Sequence, residues 1–158
     1  MKVWRISKRR HAATAFSGEG PRLAAGRWNP AGVPMVYTSS SLSLAVVEVF
    51  VHLDPFESPE FVSIGADVPV GEEELEDAKR SVLLKIPKDW RQIANPVLRQ
   101  MGADWIASGR SLAMPVPSAV VDGEWNVLIN PAHRDAAAIK FESPRPFEFD
   151  ARMFKVRH

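Results

Sequence analysis

The residues whose types and spacing could do chemistry are gathered in one stretch, GRWNPAGVPMVYTSSSLSLAVVEVFVHL from Gly26 to Leu53. It opens on Arg27, carries Tyr37 in its middle and Glu48 near its end. From Leu42 to Leu53 the only ionisable residues are Glu48 and His52, and apolar side chains fall on nearly every face, which predicts a largely buried helix. An unpaired carboxylate there is costly, so Glu48 needs a partner, and the nearest upstream cation is Arg27. Such a set could stabilise a developing cation, hold an anion in a guanidinium fork and offer a ring face to a flat cation. Each member also has a plainer reading: a structural ion pair for Glu48 and Arg27, a core strand position for Tyr37, an edge-strand hydroxyl for Ser118.

The elements that must position these groups follow from local pattern. Gly26 and Asn29-Pro30-Ala31-Gly32 are turn chemistry, Val33 to Thr38 is β-branched and aromatic, and Ser39, Ser40 and Ser41 offer N-caps for the helix behind them. Val3-Trp4-Arg5-Ile6 reads as a sheet-edge strand with Arg5 facing a cleft opposite Trp4 and Ile6. The basic cluster Lys8 to His11 reads as a solvated turn, and Gly18, Gly20, Pro21 and Gly26 as a loop that fits neither a P-loop nor a Rossmann fingerprint. Beyond Asp54-Pro55, Glu60 to Val70 alternates as a strand, Gly71 to Lys79 is acidic surface, and Val82 to Ile86 suggests another strand. A turn at Pro87 to Trp90 precedes a helix over Pro96 to Ser108, with Val97, Met101 and Ile106 inside.

Two prolines between Ser111 and Val121 argue for an edge or bulged strand. Asn126 to Asn130 is a short apolar strand, His133 belongs to the turn after it, and Ala136 to Phe154 adds one or two strands with Phe147 and Phe149 alternating. Many short strands, two helices and no βαβ alternation indicate one α+β domain over 1–158, with small antiparallel or mixed sheets.

Composition narrows the function classes. A chain of 158 residues suits a single core, with roughly 70% of the unfolded surface buried. Twenty Lys plus Arg against 19 Asp plus Glu give a net charge of +1, so direct nucleic-acid binding is not expected. Without cysteine, and with four scattered histidines, neither a metal site nor redox chemistry is expected. The basic N-terminus is not followed by an apolar signal core, and no run approaches a membrane span, so the expected location is cytoplasmic.

The ordered set Gly26-Arg27-Trp28-Asn29, Val36-Tyr37-Thr38-Ser39-Ser40, Val47-Glu48, His52-Leu53, Val116-Pro117-Ser118 and Asn126 to Pro131 resembles the RES domain family. The resemblance runs from about Val3 to about Phe154. It implies an ADP-ribosyltransferase-like fold and a toxin of a bacterial type II toxin-antitoxin system that degrades NAD. It also implies an Xre-like antitoxin that blocks the site and carries the DNA binding. The family takes its name from an arginine, a glutamate and a serine, here Arg27, Glu48 and Ser118. The catalytic set is then Arg27, Tyr37 and Glu48, with Arg5, Trp28, Ser118 and Asn126 binding substrate and no metal. Two alternatives stay open, an ADP-ribosyltransferase that modifies a protein or nucleic acid, and a non-catalytic NAD-binding module.

Overall fold

The computed structural model describes residues 1–54 and 59–154. In chain order they form β1 (Lys2–Lys8), a 3-10 turn (Arg9–Thr14), α1 (Glu19–Leu23), β2 (Val36–Ser39), α2 (Leu42–Phe50), β3 (Phe61–Asp67) and α3 (Glu72–Lys85). There follow α4 (Pro96–Ser108), β4 (Ala113–Pro117), β5 (Trp125–Ile129), a 3-10 turn (Arg134–Ala138), β6 (Lys140–Phe141), β7 (Arg145–Phe147) and a last 3-10 turn (Ala151–Phe154). The strands make one seven-stranded antiparallel sheet in the order β4-β5-β2-β1-β3-β6, with β7 also on β3. The α+β class expected from the sequence is the class observed.

Strand register decides where the sheet is tight and where it opens. β1 pairs with β3 along its whole length, from Lys2↔Asp67 to Lys8↔Phe61. Its other edge meets β2 at one registered pair, Trp4↔Ser39. The sheet therefore parts between β1 and β2, and a cleft forms there. β2 continues onto β5 through four pairs ending at Ser39↔Asn126, and β5 onto the edge strand β4.

The period of two sorts side chains to opposite faces. Val3, Val36, Ala66, Val127 and Ile129 bury together on one face. On the other, Met114, Val116 and Leu128 pack with Trp28 and Met35 and with Val82 and Leu98 of α3 and α4. Each large side chain so buried contributes about 1.5–3 kcal/mol. α2 rests on the sheet where Ala45 packs with Ile6 of β1 and Phe61 of β3. α4 has the ends its sequence signals: Asn95 accepts from the N–H groups of Val97 and Leu98 at 3.0 and 3.4 Å, Pro96 opens the first turn, and Gly109 closes it at φ 56°.

Several expectations are corrected. The described residues form four α-helices where the sequence pattern predicts two. Val82 to Ile86 is the end of α3 and its cap, not a strand. Leu75, Ala78, Val82 and Ile86 recur at helical spacing, a stripe invisible in a five-residue window, and Glu72, Glu73 and Glu74 favour the positive end of that helix. The glycine-rich loop contains α1, and the basic turn is a 3-10 turn. α2 ends at Phe50 and fully buries only Leu44 and Ala45, so it is half-buried. In α4 Leu98 and Gly102 are buried and Met101 and Ile106 pack against the core as expected, while Val97 is exposed. Phe149 lies beyond β7 and packs edge-on against Phe147, 5.0 Å between centroids. Pro55 lies outside the described residues. Among the described residues no helix is long and apolar enough to cross a membrane.

Candidate active site

A cleft of about 760 Å³ lies where β1 and β2 part, lined by residues that include Arg5, Arg27, Tyr37, Glu48, Arg99 and Asn126. Ser41 starts α2 by accepting from Leu44 N–H at 3.1 Å, and this helix presents Glu48 to the cleft two turns later. The partner of Glu48 is not Arg27, as the sequence suggested. Its Oε1 accepts from the Ser118 hydroxyl at 2.6 Å and from the Asn126 amide at 2.5 Å. Two neutral donors satisfy the carboxylate and leave its charge uncompensated. Among the described residues nothing donates to Oε2.

Ser118 sits just after β4 and is 1% exposed. The backbone N–H groups of Val120 and Val121 donate to its oxygen at 3.1 and 2.9 Å, which directs its own O–H toward Glu48. Asn126 is supplied by β5, directly opposite Ser39. Serine, asparagine and glutamate, 70 and 78 residues apart in pairs, thus meet through the sheet.

The arginines are fixed by carbonyls, not by acids. Arg27 donates from one nitrogen, Nη1, to the backbone oxygens of Trp90, Arg91 and Gln92 at 3.1, 3.0 and 3.1 Å, tying the loop before α4 to the cleft. Arg5 donates to the Tyr37 carbonyl at 2.5 Å across the gap between β1 and β2, and its Nε is buried without a partner. Burial lowers the pKa of Arg5 to about 10. Arg99 on α4 donates to the Gly26 carbonyl at 2.9 Å. Sequence reading passed over Arg99, because a lone arginine on a packing helix carries no local signal. Among the described residues none of these three guanidiniums has a carboxylate partner.

Tyr37 lines the cleft with its hydroxyl turned inward, donating to Asn29 Oδ1 at 2.7 Å and accepting from Trp28 N–H at 3.0 Å. Burial pushes its phenol up to about 12, so it stays neutral. Gly26 is required beside it: a Cβ there would stand 2.6 Å from the Tyr37 oxygen and 2.7 Å from Asn29 Oδ1. Trp28 borders the cleft but turns most of its surface into the core. It is 2% exposed, its indole packed with Met35 and Leu98 beneath the loop. His133 caps the 3-10 turn that follows it, as its turn position suggested.

The RES domain matches residues 2–150. A Sphingobium protein named Prs ADP-ribosylating toxin is 37% identical over 155 residues, covering 96% of each chain. Toxin Res of Photorhabdus laumondii is 31% identical over 160 residues, covering 99% of each. The toxin-antitoxin complex MbcT-MbcA of M. tuberculosis superposes with a TM-score of 0.69 at 16% identity, over 92% of this chain and 83% of that one. The sheet and helices therefore share their fold with a chain of that complex, and this chain belongs to the RES domain family.

Proposed function

We propose that this RES-domain toxin breaks the bond between nicotinamide and ribose in NAD. One observation carries the reading: among the described residues, a carboxylate with no cation partner and a free Oε2 faces a cleft whose three arginines have no acid partner. NAD has the complementary charges, a pyrophosphate for the guanidiniums and a ribose that turns cationic as the bond breaks. Glu48 Oε2 accepts from a ribose hydroxyl and stabilises the oxocarbenium-like centre. The bonding electrons pass to the nicotinamide nitrogen, which leaves neutral and needs no general acid. Tyr37 offers its ring face to the nicotinamide, Arg5, Arg27 and Arg99 hold phosphate or ribose oxygens, and Ser118 and Asn126 hold Glu48. Water then forms the new bond at the ribose carbon and loses a proton to solvent, giving ADP-ribose.

Mass spectrometry of NAD incubated with the purified toxin tests this. Free nicotinamide with ADP-ribose, or with its phosphate ester if phosphate replaces water, is the expected result, and intact NAD overturns the reading. Turnover should persist in EDTA. Expression without a partner should stop growth as cellular NAD falls. The name of the Sphingobium relative, an ADP-ribosylating toxin, favours a second reading, transfer of ADP-ribose to a protein or nucleic acid. Stable mass addition to a macromolecule while the NAD pool is maintained would select it.

The complex formed by MbcT with MbcA favours a cognate antitoxin for this toxin too. An Xre-like partner that covers the cleft and carries the DNA binding fits the near-neutral charge of the chain.

A further inference from the structure

The amide of Asn126 is nearly symmetric in shape, and which end faces Glu48 matters. A carboxylate only accepts, so Nδ2 must face it, and a rotated amide would set Oδ1 against Oε1 with two acceptors in contact. Among the described residues, nothing in Glu48, Ser118 or the backbone donates to the far end of that amide. Ser39 does. It is the last residue of β2, registered opposite Asn126, and its hydroxyl donates to Asn126 Oδ1 at 2.7 Å. Ser39 is 4% exposed, so water does not readily replace that donor.

We infer that Ser39 is a positioning residue for the reaction. Its hydroxyl locks the Asn126 amide so that Nδ2 and the Ser118 hydroxyl both engage Oε1, which holds Oε2 as the working oxygen toward the ribose. The two donors converge on one oxygen of Glu48, and this asymmetry is what a hydroxyl behind Asn126 secures. Sequence alone points elsewhere, since a serine in a Ser-Ser-Ser run before a helix reads as an N-cap. Ser41 takes that role and frees Ser39 for the network.

The inference rests on the reading of Glu48 as the group that stabilises the ribosyl cation. Ser39→Ala should lower kcat for NAD cleavage about tenfold, the lower end of what loss of an outer hydrogen-bond partner does at other sites, with KM within about twofold. Ser39→Thr, which keeps the donor, should restore most of kcat. In an Asn126→Ala background the Ser39→Ala change should have no further effect, because its route to Glu48 is already gone. Should Ser39→Ala not fold, Ser39→Cys fills the space with a poor donor and should show the same kcat deficit. Undiminished kcat in Ser39→Ala, no recovery in Ser39→Thr, or additive losses in the double variant would each overturn the role of Ser39. Wild-type protein that leaves NAD intact refutes the underlying function instead, so the two failures are distinguishable.

Discussion

Glu48 is the residue on which catalysis and stability separate. Had it been paired with Arg27, Glu48→Gln would strand a buried cation and cost about 3–5 kcal/mol. With Ser118 and Asn126 as its partners, a glutamine oxygen can accept both bonds, so melting should shift little. Turnover should fall on the order of 100-fold or more, mainly in kcat, because the charge it stabilises exists chiefly in the transition state. A folded variant with near-normal kcat would sink the mechanism. Tyr37→Phe probes the opposite balance. It keeps the ring in the cleft but orphans the Trp28 N–H, at about 1–3 kcal/mol in denaturant unfolding. The phenol ionises near 10 when unfolded and near 12 when folded, so its stabilisation is present below pH 10 and is lost as pH rises through 12. The phenylalanine variant should lose less stability over that alkaline interval than the parent does.

At the scale of elements, α4 is pressed against the loop that carries Arg27. A Cβ on Gly102 would stand 1.7 Å from the Trp28 carbonyl oxygen, so no side chain fits between helix and loop. Ala ordinarily stabilises a helix relative to Gly by about 0.8–1.0 kcal/mol. Here the sign should reverse: Gly102→Ala is expected to destabilise by about 2–3 kcal/mol, through the same crowding that penalises overpacked cores. It should also raise KM for NAD, since α4 carries Arg99 onto the Gly26 carbonyl. Denaturant unfolding with steady-state kinetics checks both effects, and a stabilised variant would mean that the loop yields freely.

For the whole molecule, the mouth of the cleft is the surface to watch. Val51, Ile93 and Val120 line it and remain 51%, 91% and 38% exposed, an apolar rim around a cationic interior. A partner that seals the cleft should bury that rim. Ile93→Asp is expected to weaken the complex with the cognate antitoxin at least tenfold by calorimetric titration, and unchanged affinity would place the antitoxin elsewhere. The net charge of +1 bears on DNA in the same assembly. The complex should retard a promoter fragment that the toxin alone does not, and equal binding by the toxin would refute the division of labour.

Some of this was legible in the sequence because it is local. The strand and N-cap chemistry around Tyr37 and Ser41, the capped α4, the proline-bearing edge strand and the demand of Glu48 for a partner follow from neighbours in the chain. Membership in the RES domain family rests on the same kind of ordered, local marks. What only the tertiary structure decided is which distant groups meet. Sequence proximity favoured Arg27 for Glu48, but sheet register brings Asn126 opposite Ser39, and the turn after β4 delivers Ser118. Arg27 goes instead to three carbonyls of a loop more than 60 residues away. The strand expected within α3 has the mirror cause: the helix's stripe spans three turns, and the short apolar run at its end resembles a strand until the helix packs. Periodicity fixes which side of an element is buried, while the pairing of elements fixes whose side chain lies across from it. For a site assembled where two strands part, that pairing decides which oxygen of Glu48 accepts from Ser118 and Asn126.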